Sequence, residues 1–153
     1  MFKLLTNTNQ PLKFYILKVY LLALGIGLTI SFILEFFVPN VESPDFEIGL
    51  SSFILIVFVA PILETFLMIP IISLIKKVTP DILYVSIVSA LIWAIMHSLQ
   101  VPLWGIGVFA LFFLMSMAYQ HWDAHSRGHA LLVVMIIHAL NNASLFTLVA
   151  LES

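Results

Sequence analysis

The chain has 153 residues, 62% of them apolar, with 6 Lys+Arg, 8 Asp+Glu, a net charge of −2 and a mean hydropathy of +1.15. A soluble domain carries roughly a quarter charged residues; at 9% charged, this chain cannot cover a water-facing surface, which excludes a soluble enzyme and a secreted scaffold. A nucleic-acid binder is excluded for want of a basic patch, and with no Cys there is no disulfide, thiolate metal site or thiol nucleophile.

The expected fold class is all-α: a polytopic membrane helix bundle of about five transmembrane helices, forming one domain over residues 1–153. At ~20 residues per span, the apolar runs fall at 14–38, 48–75, 81–99, 102–119 and 129–151. Turn residues separate them: Pro39-Asn40, Ser43-Pro44-Asp45, Lys76-Lys77, Gln100-Val101-Pro102 and Ser126-Arg127-Gly128. Thr79-Pro80-Asp81 reads as a helix start, with Thr79 as N-cap and Pro80 at the first helical position. The first span is too long for a signal-peptide core and is expected to remain in the mature protein. All six basic residues, Lys3, Lys13, Lys18, Lys76, Lys77 and Arg127, fall on one side of a five-span arrangement, which predicts a cytoplasmic N-terminus.

Inside a bilayer an ionisable group costs at least ~2.5–3.5 kcal/mol, so each one marks a candidate site. Glu64 sits well inside the second run, between Pro61 and Pro70, and Pro61 frees a backbone carbonyl just before it. His97 follows Trp93 by four residues, placing the indole on the same helical face, with Ser86 and Ser89 roughly in line toward the bundle interior. His138 and Asn142 are also four apart, two hydrogen-bonding groups one turn from each other.

One acid, two imidazoles and one amide on three spans admit three chemistries. Glu64 and His97 can polarise a water while His138 and Asn142 hold an oxyanion, giving metal-free peptide hydrolysis. Glu64, His97 and His138 can instead ligate Zn²⁺, or Glu and His can relay protons in a transporter component. Counted at 1.5 Å per residue from the basic ends of the expected spans, Glu64 lies ~16 Å deep, His138 ~14 Å, Asn142 ~20 Å and His97 ~25 Å, a spread that tilt or shifted boundaries must close.

These residues resemble the motifs of the CPBP family, the CAAX prenyl endopeptidases and bacteriocin-processing membrane proteases also called Abi. The family carries Glu-Glu-x-x-x-Arg, Phe-x-x-x-His and His-x-x-x-Asn on successive membrane helices. Glu64 after Ala60-Pro61-Ile62-Leu63 matches the first motif, Trp93-x-x-x-His97 the second with one aromatic exchanged for another, and His138-Ala139-Leu140-Asn141-Asn142 the third. The likeness covers residues 52–144. It implies a glutamate-type intramembrane endopeptidase in which Glu64 and His97 activate water and His138 with Asn142 stabilises the oxyanion. No cofactor is required on that reading; if a metal takes part, Zn²⁺ on Glu64, His97 and His138 is the expected site. The implied partners are a peptide or membrane-protein substrate and the lipid bilayer, with no nucleic acid, in a multi-pass protein of the cell membrane. Thr65 and Ile69 stand where the family has its second Glu and its Arg, which opens the rival reading of a catalytically degenerate immunity or scaffold protein.

One further segment bears ionisable groups. His121, His125 and His129 recur every four residues around Asp123. A continuous helix would align them for metal binding or pH sensing, but the reading preferred is a solvated turn with Trp122 in the interfacial belt.

Overall fold

A computed structural model of the chain describes residues 2–152 apart from Pro39, Ser43 and Asp45, so those members of the expected turns lie outside the described residues. Every described regular element is helical. They are α1 (Phe2–Thr6), α2 (Leu12–Phe37), α3 (Leu50–Ile75), α4 (Ile82–Ser98), α5 (Trp104–Asp123) and α6 (Arg127–Glu152). Four of these, α2, α3, α5 and α6, are long and apolar enough to cross a membrane; α4, at 17 residues, is a shorter apolar helix. With α4 counted, the bundle has the five-helix layout that the apolar runs predict.

The arrangement places α5 at the centre. It packs on α1, α2, α4 and α6, and α3 closes the bundle against α4 and α6. Twelve of its residues are buried, among them Phe112, Met115, Tyr119 and Trp122. In contrast, α2 exposes Leu17, Leu21, Phe32 and Phe36, and α3 exposes Leu63, Phe66, Leu67 and Leu74. Apolar side chains turned outward on membrane-length helices are what hydrocarbon surroundings require.

Several boundaries differ from the sequence expectation, each for a physical reason. The α4 N-cap is Asp81 rather than Thr79: the Asp81 carboxylate accepts from the Tyr84 backbone N–H at 2.7 Å, and the Thr79 hydroxyl accepts from the Asp81 N–H at 3.2 Å. The α4–α5 connection turns on Leu103, which takes a left-handed conformation at φ 67°. This brings Gly105 against the Ala94 carbonyl, leaving no room there for a Cβ.

The fourth run does not stop at 119 but continues as helix to Asp123. Tyr119, Gln120 and Trp122 are buried there, with Trp122 edge-on to Tyr15 at 5.3 Å. The five-residue α1 was not expected. Its Leu5 is buried in the core, and the Tyr15 hydroxyl donates to the Leu5 carbonyl at 2.8 Å. Thr8 Oγ1 meets His125 Nε2 at 2.7 Å, so the start of the chain and the α5–α6 turn share one end of the bundle, the end that carries the basic residues.

Candidate active site

Glu64 and His138 meet inside the bundle. His138 Nε2 lies 3.6 Å from Glu64 Oε2, with the His138 side chain 4% exposed and that of Glu64 22% exposed. At 3.6 Å the pair falls outside hydrogen-bonding range, so neither group is locked on the other. Glu64 Oε2 and His138 Nδ1 are both buried without a protein partner.

Helix lengths explain why the two meet. Eleven residues separate Glu64 from Ile75 at the end of α3, and eleven separate His138 from Arg127 at the start of α6. Both therefore sit ~16 Å from the basic end of the bundle. His97 and Asn142 each lie fifteen residues from Ile82 and Arg127, ~22 Å deep. The four candidates thus occupy two levels about one helical turn apart, a narrower spread than the expected span limits suggest.

His97 is buried in a ring of aromatic side chains. Its Nδ1–H donates to the Trp93 carbonyl at 2.8 Å; a carbonyl only accepts, so the proton sits on Nδ1 and Nε2 presents a lone pair. Trp104 packs edge-on at 4.6 Å and Trp93 at 5.9 Å. Phe112 of α5 packs near both imidazoles, 6.0 Å from His97 and 5.4 Å from His138, and stacks on Trp93 at 4.4 Å. A single phenyl ring thereby meets side chains of both α4 and α6.

Asn142 is placed by a defect in α3. Residues Leu55–Val59 form a π-helical turn, and the Ala60 N–H reaches back five residues to the Leu55 carbonyl. The next bond in that register would come from residue 61, a proline, which has no N–H to give. The Ile56 carbonyl is left free, and Asn142 Nδ2 donates to it at 2.9 Å. Pro61 therefore frees a backbone acceptor, as the sequence suggests, and the acceptor fastens α6 to α3 one level from Glu64. The second N–H of the Asn142 amide remains to be used.

Thr65 and Ile69, which replace the charged residues of the first motif, turn inward. Thr65 is 1% exposed with its hydroxyl unpartnered, and Ile69 packs against the core. Among the described residues no three His, Asp or Glu side chains are grouped as metal ligands. As placed, Glu64, His97 and His138 do not form a three-ligand group, and no step below is routed through a metal. The same holds for His121, His125 and His129, because the chain turns at Ala124 before α6 begins. His121 Nδ1 donates to the Met117 carbonyl, His125 pairs with Thr8, and His129 packs on Trp122 at 6.0 Å.

Two polar residues of the core escape sequence reading. Ser116 donates to Ser89 at 3.2 Å, and the Gln120 amide donates to the Ser86 hydroxyl at 2.9 Å and to the Ile82 carbonyl at 3.2 Å. Their i,i+4 spacing on one run was the available signal. It is obscured when that run is ended at 119, which leaves Gln120 outside the span.

No curated protein and no solved structure matches the chain. The family model described as type II CAAX prenyl endopeptidase Rce1-like matches residues 46–144, a stretch that holds Glu64, His97, His138 and Asn142 and about two thirds of the sequence. The chain is a member of that family of membrane CAAX-type proteases.

Proposed function

We propose that the chain is an intramembrane endopeptidase that hydrolyses a peptide bond in a peptide or membrane-protein substrate within the cell membrane, its N-terminus cytoplasmic. The observation that carries this reading is the Glu64–His138 pair, 3.6 Å apart and unpartnered, ~16 Å inside a bundle of membrane-length helices.

In this mechanism the Glu64 carboxylate takes a proton from water, and His97 Nε2, whose tautomer the Trp93 carbonyl fixes, holds that water by its lone pair. The hydroxide attacks the scissile carbonyl carbon. His138 Nε2–H and the second Asn142 N–H donate to the resulting oxyanion, where fixed donors in a water-poor site act most strongly. Collapse expels the amine, which takes the proton that Glu64 holds.

Purified chain in lipid, offered a peptide library read by mass spectrometry, is the test. Cleavage is expected to vanish in Glu64→Gln, which keeps size but removes the base, and to survive chelators. Cleavage lost to a chelator and restored by Zn²⁺ would replace the metal-free mechanism. If wild type cuts nothing while wild type and Glu64→Gln both restore the phenotype of a deletion strain, the reading fails. A non-proteolytic member then stands in its place, with Thr65 and Ile69 as the substitutions that cost the activity.

A further inference from the structure

Hydrolysis at ~16 Å depth needs water as a reactant, and hydrocarbon does not supply it. The seam between α4 and α5 holds polar groups at successive depths. Counted from the ends of the two helices at the basic end, Gln120 lies three residues in, Ser86 four, and Ser116 and Ser89 seven, or ~5, ~6 and ~10 Å. All four are at most 3% exposed. Beyond them the Ser116 hydroxyl also touches Met68 Sδ of α3 at 3.7 Å, and Met68 shares a buried face with Thr65 one turn deeper. Glu64 is the residue before Thr65, at the same level of α3 and ~100° around the helix.

The hydrogen bonds of this seam do not exhaust it. Gln120 Oε1, the Thr65 hydroxyl and the Trp93 indole N–H are buried with no protein partner, although a buried polar group left unpaired costs about 1–3 kcal/mol. The orientation of the Gln120 amide is fixed by its neighbours. Its Nε2 faces two carbonyls, Ile82 and Ser116, which only accept, so its oxygen must face the unsatisfied side. Interhelical adhesion would need the serines and the amide nitrogen. It gives no account of three orphaned groups spread from the mouth of the seam to the level of Glu64.

We propose that the Gln120–Ser86–Ser116–Ser89–Thr65 seam is a water path from the basic end of the bundle to Glu64, resupplying the reactant. This rests on the reading of Glu64 as the base that activates water. A buried water requires two to four polar partners, and the unpaired Gln120 oxygen and Thr65 hydroxyl offer such groups at the two ends of the seam, while Met68 and Val85 keep the surroundings apolar.

The chain has three tryptophans, and Trp93 lies eleven residues from Ile82, at the depth of Glu64. Its indole N–H is therefore a built-in reporter. The full chain, ¹⁵N-labelled at the indole nitrogens and held in lipid nanodiscs, is moved into D₂O, and exchange of Trp93, Trp104 and Trp122 is followed by NMR. Trp93 is expected to exchange within about tenfold of Trp104 at the far end of the bundle, and to slow at least tenfold in Gln120→Leu and in Ser116→Ala, with the Trp104 and Trp122 resonances in place.

A wild-type Trp93 N–H as protected as the mid-α5 backbone amides overturns the proposal, and that measurement needs no variant to fold. Exchange that is fast but unchanged in both variants overturns it too, since water then arrives elsewhere. Because the readout is water and not cleavage, the two readings fail separately. A chain that exchanges as expected but cuts nothing loses the endopeptidase reading alone, and one that cuts with Trp93 protected loses the seam.

Discussion

Removing the Asn142 amide should cost stability only while residue 61 is a proline. Asn142→Ala deletes the 2.9 Å bond to the Ile56 carbonyl and leaves an acceptor that the π-turn and Pro61 have already deprived of a backbone donor. Side-chain hydrogen bonds between membrane helices contribute ~0.6 to ~1.7 kcal/mol, and a buried acceptor left unpaired costs ~1–3 kcal/mol. Both residues are half-buried, so the lower part of the combined range applies, ~1–2 kcal/mol. Pro61→Ala returns an N–H to that turn. Whether α3 keeps the π register or relaxes to α, the Ile56 carbonyl then has a backbone partner, and Asn142→Ala becomes nearly neutral. The assay is a double-mutant cycle by equilibrium unfolding in mixed micelles, in which the lost ring contacts of Pro61 cancel. A coupling of ~1 kcal/mol is expected. Energies that add within ~0.3–0.5 kcal/mol would refute the account of how Asn142 is placed.

Three further outcomes follow from the packing. Gly105→Ala should lower stability by ~1–3 kcal/mol in the same unfolding assay, because the new methyl meets the Ala94 carbonyl, backbone that cannot yield; an unchanged midpoint would contradict the close α4–α5 approach. Tyr15→Phe removes the bond to the Leu5 carbonyl and should cost ~1 kcal/mol, seen as faster hydrogen exchange confined to α1 and its neighbours on α5. Asp81→Ala should cost ~1 kcal/mol through loss of the α4 cap, and Asp81→Asn much less; equal losses in the two would show that the Tyr84 N–H bond is not the stabilising contact.

Much of this was legible in the residues because a membrane leaves few choices. Apolar runs of span length gave the helices, and Glu64, His97, His138 and Asn142 stood out because so little around them is polar. What escaped depends on partners distant in sequence. The Thr79-Pro80 start was displaced by Asp81, since capping is decided by which side chain reaches the N2 or N3 amide. The end of α5 lies beyond the apolar run because Tyr119, Gln120 and Trp122 look interfacial singly, yet Tyr15 of α2 packs on Trp122 and α4 receives Gln120. The π-turn could not be read at all: Pro61 announces a free carbonyl, but which one depends on a register that only the fold reveals.

That same turn makes α3 unevenly tolerant of changes in length. A π-turn is an α-helix carrying one residue too many, so deletion of a single residue within Leu55–Val59 lets the helix close to ordinary geometry with both flanks on their original faces. Only the acceptor for Asn142 is given up. Deletion of one residue between 66 and 74 has no such slack and turns one part of the helix against the other by ~100°, carrying Glu64 away from His138 if the Lys76-Lys77 end holds its place. Descendants of this chain can therefore drift in length on one side of the carboxylate while the other side is counted out residue by residue.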